Sequence, residues 1–202
     1  MQPNVIVVGP KDHKLIREND HRTMVNTTSH SRDWSVGLSP FLCGPCHLYG
    51  EGKQARFGIN VENSWQFSKV YAEHNDNGKP NKEWKRWSND GFRKKHAERY
   101  PMGKGARPLY SWDGSKPLTY VQARTDMYIP LYQQAVRGTE AFWMLHKLAH
   151  KEPLMLWDFD GYCEPSASWA QIVTNDKKKM GHAFVLQMML MMSPFFDKED
   201  LK

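Results

Sequence analysis

The chain has 202 residues, of which 40% are apolar and 12% aromatic, and it carries a net charge of +6. That fits one globular domain with a sizeable core, and no apolar run approaches the roughly 18 to 20 residues of a membrane span. Three cysteines argue against a disulfide framework, and the first ten residues lack a basic stretch ahead of an apolar core; a soluble, cytoplasmic protein without a signal peptide is expected.

Residues 4–10 read as a short buried strand ended by a Gly-Pro turn. Residues 11–39 are polar and rich in Asn, Thr, Ser and His, and read as loop with one short strand. A turn through 39–46 leads to a strand-like scrap at 47–50. A helix over about 60–74 follows, with Asn60 as N-cap and Glu62 in its first turn. Val61, Trp65, Ser68 and Ala72 recur at i, i+4, i+7 and i+11 as a candidate buried stripe. Glu62, Gln66 and Lys69 recur one step round, so three polar side chains project together. A carboxylate, an amide and an ammonium beside Trp65 suit a polar ligand; a solvated amphipathic face is the plainer reading.

Residues 75–80 are a strong loop signal, a basic helix is expected over about 81–99, and 100–117 is a second loop. The next helix, about 119–136, has Tyr120, Ala123, Met127, Tyr128, Leu131 and Ala135 on its apolar side. Pro130 should kink it or split it in two. Gly138 breaks it, and Thr139 caps a helix over about 140–151. Residues 154–161 fit a buried strand feeding a loop, Ser166 or Ser168 caps a helix to about 174, and an apolar helix closes the chain from Met180 to Met192, where core is the plainer reading of the Met stripe.

The positive charge is local. Residues 79–107 hold ten Lys and Arg against three acidic side chains, which leaves the rest of the chain at −1. Such a patch points to a phosphate-bearing or polyanionic ligand, against the alternative of a solvated face. Trp84, Trp87 and Phe92 lie among Lys82, Lys85, Arg86, Arg93 and Lys94, the basic and aromatic mixture that single-strand nucleic-acid binders use. A non-catalytic nucleic-acid-binding protein using 82–99 is therefore the alternative function.

Cys43-Gly44-Pro45-Cys46 has redox spacing but no strand ahead of it and no long helix behind it. His146 and His150 have the spacing of a helical metal pair, yet Lys147 stands where a zinc protease needs its Glu. Gly103-Lys104-Gly105-Ala106-Arg107 is a glycine loop with two cations that lacks the Walker spacing. Asp158-Phe159-Asp160-Gly161 resembles the first motif of haloacid-dehalogenase-type phosphatases, but the later motifs have no room in the 41 residues that follow. No metal or cofactor is implied.

Ser39-Pro40-Phe41, then Val61-Glu62-x-x-Trp65-Gln66-x-x-Lys69, the loop with Trp112, and Asp158-x-Asp160-Gly161 ahead of Gly181 and Leu186 to Met191 resemble the NADAR (YbiA-like) family. The resemblance spans about 40–191 and is tightest from Glu62 to Lys69. It implies a single α+β domain, mostly helical with a small sheet, with 1–38 as an N-terminal extension and 79–107 as a basic insert. It also implies a hydrolase, an N-glycosidase acting on an ADP-ribosyl or ribosyl-phosphate substrate such as ADP-ribosylated guanine in nucleic acid. Glu62 would be the carboxylate at the anomeric carbon or a ribose anchor, with Lys69 favouring its ionised form. Asp158 or Asp160 would be the second carboxylate. Trp65 or Trp112 would stack on a base, Gln66 belongs to the same polar face, and Lys104, Arg107 and Arg124 would hold pyrophosphate.

Overall fold

A computed structural model describes residues 2–197 and 199–201. The elements are a mixture of helices and short strands, the α+β class expected, and they form two compact units, Met1–Cys43 with Tyr132–Lys202 and Gly44–Leu131. Among the described residues no helix is long and apolar enough to cross a membrane.

The first unit is built on a three-stranded parallel sheet with Leu154–Trp157 at its centre, flanked by Val5–Val8 and Thr23–Asn26. Leu154, Met155 and Leu156 are all buried, as a parallel strand covered on both faces requires. The helix His182–Met191 packs on the sheet, and Gln187 donates to the Val5 carbonyl at 2.7 Å. The helix Glu140–Ala149, capped by Thr139 as expected, packs on the turn Trp34–Leu38. Ser168, one of the two caps considered, opens Trp169–Thr174.

Residues 1–38 are not a peripheral extension, because they supply both outer strands of this sheet. They also contain a helix, His13–Glu18, within the stretch read as loop. None of its six residues is buried, so it has no apolar period by which it could be read.

The second unit holds an antiparallel hairpin, Cys46–Tyr49 with Arg56–Gly58, and a three-stranded antiparallel sheet ordered Lys69–Val70, Tyr110–Trp112, Pro117–Leu118. The helix read over 60–74 spans only Val61–Phe67. Lys69 and Val70 leave it to pair with Ser111 and Tyr110, so long-range strand pairing ends the helix. Residues 75–80 are a two-residue hairpin, with Asn77 at φ 49° and Gly78 at φ 82°, the left-handed pair that tight hairpins need. The basic helix is Lys82–Gly91, shorter than expected. The helix expected over 119–136 is divided: Tyr120–Ala123, a wide π turn Arg124–Tyr128, then Ile129–Arg137. Ile129 N–H reaches back five residues to the Arg124 carbonyl. Pro130, with no N–H to give, follows directly.

Candidate active site

Asn60 caps the Val61–Phe67 helix by accepting from Asn63 N–H at 2.8 Å, which seats Glu62 in the first turn. The helix is buried on nearly every side, so its polar face is not solvated: Glu62 is 4% exposed and Gln66 6%. The three polar side chains do project together. Lys69 Nζ donates to Gln66 Oε1 at 2.7 Å, and Gln66 Nε2 donates to Glu62 Oε1 at 2.8 Å. One orientation of the Gln66 amide therefore joins an ammonium to a carboxylate.

Lys69 thus reaches Glu62 through the Gln66 amide, and a second cation bonds the carboxylate directly. It is Arg99, whose Nε and Nη2 lie 3.4 and 3.3 Å from the same Oε1. Arg99 extends from a surface stretch, with its side chain 53% exposed, onto a carboxylate that is 6% exposed. All hydrogen bonds that Glu62 accepts among the described residues fall on Oε1, which leaves Oε2 uncommitted.

Aromatic rings wall the same face. Trp65 packs on Tyr128 at 5.2 Å and Tyr120 at 6.2 Å between centroids, and Lys69 Nζ stands 4.9 Å over the Trp65 ring. Arg124 is 2% exposed, with its guanidinium 4.6 Å over the Tyr120 ring. The wide turn carries both Arg124 and Tyr128 to the Trp65 side. Trp112 is half-buried, and its backbone N–H donates to the Ser68 carbonyl at 2.8 Å, beside Lys69. Lys104 and Arg107 are exposed on the glycine loop.

Sequence reasoning missed Arg99, Tyr120 and Tyr128 as site residues. Tyr120 and Tyr128 stand four residues to either side of Arg124, the spacing of one helical face, but the sequence places them on the apolar side of the helix. Arg99 lies 37 residues from Glu62, and no spacing rule reaches that far.

Asp158 and Asp160 belong to the first unit, and their bonds stay within it. Asp158 ends the central strand, 4% exposed, with its Oδ2 3.0 Å from His182 Nδ1 and 3.1 Å from Ala183 N–H; Oδ1 accepts from Asp160 N–H at 3.1 Å. Burial would push its carboxyl up, but the His182 charge and these hydrogen bonds outweigh that and hold it at about 2. His182 Nε2 faces the Thr27 carbonyl at 2.8 Å. Both ring nitrogens thus meet acceptors, which the doubly protonated ring satisfies. This closed ion pair anchors a helix to the sheet and offers no open carboxylate. Asp160 instead pairs with Lys179 at 3.5 Å.

The basic aromatic stretch divides by face. Trp84 and Phe92 are buried, and Trp87 packs on Phe67 and His74 at 4.8 and 4.9 Å, so these rings serve the core. Lys82, Lys85, Arg86, Arg93 and Lys95 face outward. Cys43, Cys46 and Cys163 form no disulfide, the first two are buried, and burial pushes Cys46 up to about 11, opposite to a redox-active thiol.

Comparison of the chain with protein-family models, curated proteins and solved structures finds no match.

Proposed function

We propose that the chain is a NADAR-like hydrolase that cleaves an N-glycosidic bond in an ADP-ribosyl or ribosyl-phosphate substrate, ADP-ribosylated guanine in nucleic acid included. The observation that carries this reading is Glu62: a buried carboxylate with one oxygen held by Gln66 and Arg99 and the other uncommitted. Cleavage passes through an oxocarbenium-like state, which a carboxylate stabilises or supplies with an activated water. Water's oxygen bonds the anomeric carbon as the bond to nitrogen breaks; Glu62 takes a water proton and returns it to the departing nitrogen, which leaves Glu62 ionised again. Trp65, with Tyr120 and Tyr128, offers a planar surface for the base. Arg124 and Lys69 supply cations for phosphate oxygens. Asp158, bonded on both oxygens, is left out of the chemistry.

The exposed cations of 82–95 support an approach surface for nucleic acid, while the burial of Trp84 and Phe92 withdraws the stacking rings that a single-strand binder would use. The test is release of ADP-ribose from ADP-ribosylated guanine, as nucleoside and in DNA, by wild type and Glu62→Gln. Wild type should turn over, and Glu62→Gln should lose about 100-fold or more with binding kept. Absence of release by wild type, with tight salt-sensitive binding to plain DNA or RNA, would replace the enzyme reading with the binding one.

A further inference from the structure

The His146 and His150 pair stands in the first unit and has no part in the site above. Both residues line a cavity of about 430 Å³ together with Met191, Met192 and Gln2. The helix Glu140–Ala149 sets them one turn apart, with ring centroids 4.4 Å apart and planes tilted by 40°. His150 Nδ1 lies 2.8 Å from the His146 carbonyl oxygen. A carbonyl only accepts, so Nδ1 keeps the proton and Nε2 of the neutral ring keeps its lone pair. Metal-binding histidines are oriented by the same kind of bond.

The closing helix supplies the other donors. Its methionines divide: Met188 and Met189 are fully buried, whereas Met191 is 41% exposed and lines the cavity with Met192. The residues lining the cavity carry two imidazoles and two thioethers, with no carboxylate. Among the described residues no three His, Cys, Asp or Glu side chains come together as a metal cluster. Calcium, magnesium and manganese want oxygen ligands, and structural zinc takes four Cys or His ligands. Thioethers are soft and select Cu(I), and imidazole also suits copper.

We propose that His146, His150, Met191 and Met192 form a copper site that takes Cu(I). The test is an anaerobic titration of the full chain with Cu(I) against a chromogenic chelator, comparing wild type with His146→Asn/His150→Asn and with Met191→Leu/Met192→Leu. The three cysteines are the same in all three proteins, so the readout is the difference. Wild type should hold one equivalent more than the histidine variant. The methionine variant should weaken that equivalent at least tenfold for Cu(I) while changing Cu(II) affinity less than threefold. Circular dichroism must match across the set; His150→Asn, at an exposed position, stands in if the double variant does not fold. Equal Cu(I) uptake by wild type and the histidine variant would overturn the site, and unchanged Cu(I) affinity in the methionine variant would overturn the part given to the thioethers.

Discussion

Glu62 holds its donors on one oxygen, and the two that reach it differ in kind. Gln66 is buried and belongs to the same helix, whereas Arg99 is exposed and arrives from a distant stretch. An ion pair half open to water adds little stability. Arg99→Ala should therefore shift Tm by less than about 2 °C while lowering kcat at least ~10-fold, since Oε1 keeps Gln66 but loses its charged donor; a large Tm loss with unchanged turnover would make Arg99 structural. Asp158 is the opposite case. Its carboxyl is held at about 2 against an ordinary 3.8. A depressed carboxyl stabilises the fold above its unfolded value, and that contribution is lost as pH falls from about 4 toward 2. Asp158→Asn should cost about 2 to 3 kcal/mol at neutral pH, since His182 loses its counter-ion, and the Tm of the variant should fall less steeply than wild type below about pH 4. Parallel acid limbs in thermal melts of the two proteins would count against this account.

Elements meet at close quarters in the parallel sheet. A Cβ on Gly9 would lie 1.9 Å from the Gly161 carbonyl oxygen, and one on Gly161 would lie 2.3 Å from the Val8 carbonyl oxygen. Both obstacles are backbone and cannot turn aside. Gly9→Ala should cost about 3 kcal/mol or more in denaturant unfolding; a cost under about 0.5 kcal/mol would show that the two strand ends can part without loss. The wide turn at Arg124–Tyr128 shows how one residue type sets an element's shape. Pro130 gives no N–H, and the preceding backbone takes up five-residue bonding that carries Arg124 and Tyr128 to the Trp65 side.

Across the whole molecule the charge is uneven, with the excess in residues 79–107 and outward-facing on and just after Lys82–Gly91. Reversing Lys82, Lys85 and Arg86 to Glu should lower affinity for DNA and flatten its salt dependence, by roughly one unit of slope per lost phosphate contact. Turnover of a nucleoside-sized substrate should stay within about threefold of wild type. Equal losses on both substrates would place these cations in the pocket instead of on an approach surface.

Local signals were legible wherever a residue acts on its near neighbours. Asn60 and Thr139 cap the helices they were expected to cap, and Gly181 precedes the closing helix. The Glu62–Gln66 bond forms as helical spacing requires, because contacts four residues apart are fixed by the pitch, whereas Lys69 reaches Gln66 from the strand that follows. Tertiary structure decided the rest. It ended the helix at Phe67 by pairing Lys69 with Ser111, and it brought Arg99 to Glu62 across 37 residues. It also closed Asp158 onto His182, 24 residues along the chain, turning an apparent catalytic carboxylate into an anchor. Strand pairing and ion pairs at such separations depend on which segments meet in space, and periodicity along one chain carries no record of that.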